Sequence, residues 1–218
     1  MSTSQGGLAS YLLYAVVYVV GLGAVYASLG GGPVQRLRHP APAVVLLSLV
    51  VAVPSLVGLA WQPLFDALAR DPELVRHGEL WRLVSYVAVQ DDGVGGTIYN
   101  LVTLALTLPA AVVLWRPAAT LGLFVAGALV FSLPAVFVWP HAGAGNSGAT
   151  FFLAGSMVGA LSVRRRDVRR AAAVTALAGA ALLVLGDAHG EAVLAGLVIG
   201  SAFANAVQPT ARPASVRP

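Results

Sequence analysis

The chain has 218 residues, 58% of them hydrophobic and only 10% charged, with a mean hydropathy of +0.82. Soluble domains carry about 25% charged residues, so composition excludes an ordinary soluble globule and puts the chain in the membrane class. Cysteine is absent, which excludes disulfides and thiolate metal sites, and the net charge of +4 rests on 13 basic residues, all arginine. These arginines lie in short loops between apolar runs, so the basic balance reads as a topology signal and no nucleic-acid partner is expected.

A bilayer core of roughly 30 Å takes about 20 apolar residues of helix. In chain order the candidate runs are Tyr11 to Leu29, Ala43 to Trp61, Ile98 to Leu114, Ala118 to Val138, Ser147 to Val163, Ala171 to Leu185 and His189 to Val207. The expected fold is therefore all-α, a polytopic bundle of seven membrane helices. Residues 1–41 form an N-terminal transmembrane helix and linker, 42–207 a six-helix core and 208–218 a cytoplasmic tail. The first run lacks the basic start of a signal peptide and is followed by Arg36 and Arg38, so it reads as a retained helix.

Numbering the loops alternately with the N-terminus outside puts ten arginines on one side and three, Arg70, Arg76 and Arg82, on the other. Arginine-rich loops stay in the cytoplasm. The expected orientation is N-terminus outside and C-terminus cytoplasmic. The all-arginine, alanine-rich composition points to a GC-rich bacterial genome, and the expected location is a bacterial plasma membrane.

The interval from Gln62 to Gly96 is too long for a turn. It mixes Leu64, Phe65, Leu68, Leu74 and Val75 with charges, which predicts short amphipathic helices at the outer interface. Trp61 and Trp81 suit that depth.

Polar residues inside membrane helices are costly and mark function by default. Ser147, His189 and Asn100 each fall at the outer end of a run, at similar depth. A serine hydroxyl becomes a nucleophile when a base takes its proton, and a neutral histidine is such a base. The Asn100 amide and the Ser147 backbone N–H are the candidate donors for a developing oxyanion. Phe151 follows Ser147 by one helical turn, on the same face, where its ring can pack on the imidazole. Small residues recur as Gly148, Gly155 and Gly159 in the fifth run and as Ala192, Gly196 and Gly200 in the seventh. Such stripes let helices approach closely, which would bring Ser147 to His189. Asp187 and Glu191 stand two residues either side of His189, and i, i±2 positions of a helix point apart. Asp187 reads instead as an N-cap of the last helix, which leaves a Ser–His dyad without a third member.

Together these residues resemble the rhomboid family of intramembrane serine proteases. The family's G-x-S-G motif appears as Gly145, Asn146, Ser147 and Gly148, with Gly155 eight residues after the serine. Its A-H motif appears as Ala188 and His189, followed by Ala192 and Gly196. Its Trp-Arg pair appears as Trp81 and Arg82, and its oxyanion asparagine as Asn100. The resemblance covers about residues 43 to 207, and the extra first helix is similar to the one-plus-six arrangement of some members.

The resemblance implies a serine endopeptidase that cuts single-span membrane protein substrates near the outer membrane face, with no cofactor and no metal. It implies Ser147 and His189 as catalytic residues and Asn100 with the Ser147 N–H as oxyanion donors. Gly145, Gly148, Phe151, Trp81 and Arg82 would support them. Two features depart from the pattern. Gly96 stands where many bacterial members carry a histidine, and Glu191 lies close to the base. They favour the alternative, a catalytically inactive relative that binds transmembrane helices. No H-E-x-x-H occurs, so a zinc intramembrane protease is unsupported.

Overall fold

The computed structural model describes residues 7–204. The predicted end of the last run at Val207 and the tail 208–218, with Arg212 and Arg217, lie outside the described residues. Among the described residues the protein is helical, with no strand and one isolated backbone bridge, Arg70 to Gly143. In lipid, a helix satisfies its own backbone groups, which is why apolar runs of this length adopt it.

The helices are α1 (Gly7–Leu29), which passes through a π-helical stretch at Val17–Leu22, α2 (Gly32–Arg38) and α3 (Pro42–Gly58). Short α4 (Gln62–Leu68), α5 (Pro72–Arg76) and α6 (Arg82–Ser85) follow. Then come α7 (Gly93–Trp115), α8 (Pro117–Phe137), α9 (Ser147–Arg164), α10 (Arg166–Val184) and α11 (His189–Ala202). The long interval after α3 thus forms short helices, as its composition predicts. It ends at Asp92 rather than Gly96, because the Gly-rich segment is already the first turn of α7.

Three helices, α1, α7 and α8, are long and apolar enough to cross a membrane alone. A fourth span results if α2 and α3, bent by 67° at their junction, count as one. The last three runs fall short of that measure: α9 is rich in glycine and serine, α10 opens on arginines, and α11 has 14 residues. The fold is that of an integral membrane protein. Large apolar side chains such as Leu46, Leu177, Val184 and Val198 face outward, a costly surface in water and a natural one in lipid.

At the centre stands α9, whose residues from Gly148 to Leu161 are all buried. It packs against α1, α7, α8, α10 and α11. Glycines set its distance from α11. A Cβ at Gly155 would lie 2.6 Å from the Val193 carbonyl oxygen, and Gly159, Gly196 and Gly200 face the opposite backbone still more tightly. Gly155 and Gly159 therefore do meet the small residues of α11 as predicted, whereas Gly148 of the same stripe faces the Phe131 ring of α8.

Two ends of the bundle differ in chemistry. At one, Arg36 and Arg116 line a common cavity, and Arg165 donates to the Ser28 carbonyl near the end of α1. At the other lie Ser147, His189 and the α4–α6 segment. That segment is braced by Arg82, which is buried and donates to Glu79 and to the carbonyls of Asp66 and Ala69. Trp81 stays exposed and its indole N–H reaches the Ala67 carbonyl at 3.4 Å.

Candidate active site

Ser147 is the first residue of α9. The segment before it is pinned to the α4–α6 region at three points. Arg70 and Gly143 exchange backbone hydrogen bonds, the Gly145 N–H donates to the Tyr86 carbonyl, and the Ala144 N–H donates to the Asp91 carboxylate. Gly145 has φ +134, a conformation that favours glycine. Gly148 lets the Phe131 ring lie directly on the first turn, since a Cβ there would run into it. The Arg70 guanidinium, itself buried, sits 5.0 Å from the Tyr86 ring centre and 5.5 Å from that of Phe131. At the start of a helix the first N–H groups lack intrahelical acceptors, so the Ser147 N–H is available to a ligand at the positive end of the helix dipole.

His189 begins α11. The preceding helix stops in a left-handed turn at Gly186, φ +75, with the Gly186 N–H on the Leu183 carbonyl and the Asp187 N–H on that of Leu182. This paired closure is the Schellman arrangement that glycine permits. It brings the chain back sharply and aims His189 at α9. Ser147 Oγ and His189 Nε2 lie 2.8 Å apart.

Asp187 differs from the expectation for it. Its Oδ1 stands 2.7 Å from His189 Nδ1 and also accepts the His189 backbone N–H at 3.0 Å. The i, i±2 rule holds only within a helix, and Asp187 precedes α11 in the turn, with Ala188 as N-cap. The same carboxylate thus caps the helix and engages the imidazole. A carboxylate only accepts, so Nδ1 carries the proton and Nε2 presents its lone pair to the serine hydroxyl. Burial by itself raises the Asp187 pKa, but the hydrogen bond and charge of His189 and the Tyr14 hydroxyl outweigh it and hold the group at about 2.

A further contributor comes from α1. The Tyr14 hydroxyl donates to Asp187 Oδ2 at 2.5 Å and lies 2.9 Å from His189 Nδ1. Phe151 packs on the imidazole at 5.2 Å between ring centres, as its spacing predicts, and Phe131 and Tyr14 approach it at 5.1 and 5.0 Å.

Asn100, in the second turn of α7, lines the same cavity as Ser147 and His189. Its Nδ2 donates to Gln90 Oε1 at 2.7 Å, and Gln90 in turn donates to Ser55. One amide hydrogen of Asn100 is therefore held by Gln90, which leaves the other for a ligand. Gly96 lines the cavity too. A Cβ on it would collide with the Asp92 side chain, so this helix start has no room for a histidine at 96 while Asp92 holds its place.

The cavity measures about 290 Å³ and is walled by Ser10, Tyr11 and Tyr14 of α1, by Gly95, Gly96, Tyr99 and Asn100 of α7 and by Ser147, Phe151 and His189. Trp81 and Arg82 do not line it; they shape the segment behind Ser147. Among the described residues no three His, Asp or Glu side chains converge as metal ligands would. No protein-family model matches the chain, and no curated protein matches it either.

The structure brings the four predicted residues Ser147, His189, Asn100 and Phe151 to one cavity, and sets beside them Asp187, Tyr14 and Gln90, which the sequence reading did not place there. The Gly186–Asp187 pair carried a usable signal, because a glycine after an apolar run marks a helix stop and puts the next residue outside the helix. Tyr14 and Gln90 carried none, since their partners are 173 and 10 residues away.

Proposed function

We propose that the protein is an intramembrane serine endopeptidase of rhomboid type, with a six-helix core preceded by an extra helix, that cleaves single-span membrane proteins near the outer membrane face. The observation that carries this reading is the 2.8 Å contact between Ser147 Oγ and His189 Nε2. Two neighbours strengthen it: a carboxylate lies behind the imidazole, and the serine sits at a helix N-terminus beside an open cavity.

In this reading His189 Nε2 takes the Ser147 proton as Oγ attacks the substrate carbonyl. Asp187 holds the imidazole in its Nδ1–H tautomer and stabilises the imidazolium that forms. The Ser147 N–H and the Asn100 amide donate to the oxyanion. His189 then gives its proton to the leaving amine, and water repeats the sequence to release the acyl group from Ser147. A scissile bond inside a regular helix is shielded by its own backbone, so substrates whose helix is locally unwound at small residues fit best.

The test is covalent labelling of the purified protein in detergent by a fluorophosphonate, which reacts only with an activated serine. The wild type should label, and Ser147→Ala and His189→Ala should not. Asn100→Ala should lower the cleavage rate of a single-span substrate by about 10²–10³, the usual cost of one oxyanion donor. A folded wild type that fails to label would favour the alternative, a binder of transmembrane helices without hydrolysis.

A further inference from the structure

The first helix is not an appendage to the candidate site. It packs along α9 and α10 and touches α7, so it fills the space over the face of α9 that carries Phe151. Tyr14 and Tyr18, one turn apart on α1, both pack on the Phe151 ring, at 5.0 and 4.8 Å between centres. Only Tyr14 also reaches the polar groups. Its hydroxyl bonds one oxygen of Asp187 while His189 Nδ1 bonds the other.

We infer that Tyr14 is a positioning residue of the active site, which makes the N-terminal helix a working part of the catalytic machinery. This rests on the reading of Ser147 and His189 as nucleophile and base. The physical argument is rotational. A carboxylate held only through Oδ1 can turn about its side-chain torsions, and the imidazole turns with it. Asp187 is 1% exposed, so no bulk water competes for Oδ2. The Tyr14 hydroxyl fixes that second oxygen. It also offers its own oxygen to the Nδ1–H, so the proton on Nδ1 has two acceptors and stays there. The Nε2 lone pair then remains on the line to Ser147 Oγ. Hydrogen bonds of this kind, with one partner ionised, are the strong ones. Tyr14 need not touch the reacting atoms; it acts through Asp187 and through the Nδ1 side of the imidazole.

The consequence is conditional. With Asn at 187 the Tyr14 hydroxyl loses its charged partner and keeps only its own contact with His189 Nδ1. The experiment is a double-mutant cycle on the full chain, reading the fluorophosphonate labelling rate of wild type, Tyr14→Phe, Asp187→Asn and the pair. Phenylalanine keeps the ring that packs on Phe151 and His189. Tyr14→Phe should slow labelling about tenfold, the kinetic equivalent of one charge-assisted hydrogen bond. In the Asp187→Asn background the same change should cost clearly less, about twofold, because only the contact with His189 Nδ1 is left to lose. Equal labelling of Tyr14→Phe and wild type, or an undiminished tenfold loss in the double variant, would overturn the inference while leaving the protease reading in place. A second measurement is independent of activity. The 13Cζ resonance of Tyr14, assigned by its disappearance in Tyr14→Phe, should move when Asp187 becomes Asn. A resonance that stays put overturns the inference whether or not the serine labels.

Discussion

The last helix has two seams, and they are built on opposite principles. Along its length α11 meets α9 through Gly196 and Gly200 on one side and Gly155 and Gly159 on the other, backbone against backbone. At its first turn it meets α1 through an aromatic ring, a phenol and a carboxylate. The first seam sets a distance and the second sets an orientation. Removing side chains brings two helices together, which fixes where Ser147 and His189 stand. Only large groups with defined hydrogen-bonding directions can say which way the imidazole faces. The proposed proton transfer from Ser147 to His189 requires both, because it depends on reach and on alignment.

The two seams should break differently. Gly196→Leu carries the largest effect. A Cβ there already meets the Phe152 carbonyl, so the helices must separate. Overpacking of this kind should cost about 3 kcal/mol, seen as a lower thermal midpoint in detergent, and labelling should fail because Ser147 and His189 part. Phe151→Leu should act more mildly. It keeps an apolar group in the core but removes the ring on which Tyr14, Tyr18 and His189 all pack. Such aromatic contacts are worth about 0.5–1.5 kcal/mol each, so labelling should slow by roughly tenfold with a small drop in midpoint. Tyr18→Phe should do least. The Tyr18 hydroxyl is buried without a hydrogen-bond partner among the described residues. Its removal should leave the labelling rate within about twofold and raise stability by up to about 1 kcal/mol. The contrast between Tyr14→Phe and Tyr18→Phe, one turn apart, is the sharpest form of the comparison. Equal effects of the two would mean that α1 contributes packing alone.

The Arg82 brace tests the segment behind the serine. Its guanidinium supports two carbonyls and one carboxylate. Arg82→Ala should lower the thermal midpoint by the equivalent of about 2 kcal/mol. The labelling rate per folded molecule should stay within about threefold, since Arg82 does not line the cavity. A loss of labelling without a loss of stability would place Arg82 in the chemistry instead.

Much of this protein was legible from residue order. Apolar runs longer than about 17 residues leave few choices but helix, and the arginine-bearing loops mark one end of each run. Stripes of small residues at helical spacing predict close approach because both helix geometry and van der Waals contact are local rules. Phe151 one turn after Ser147 follows from the same 3.6-residue period. What tertiary structure decided was everything set by how separate segments pack. The turn at Gly186 carried Asp187 out of the helix register and onto His189. The docking of α1 brought Tyr14 across 175 residues of chain to the same imidazole. The fold of the 62–92 segment set Gln90 against Asn100. Period and composition say which face a residue occupies, whereas the partner of a buried polar group depends on which helices happen to be neighbours, and that is settled only when the whole bundle closes.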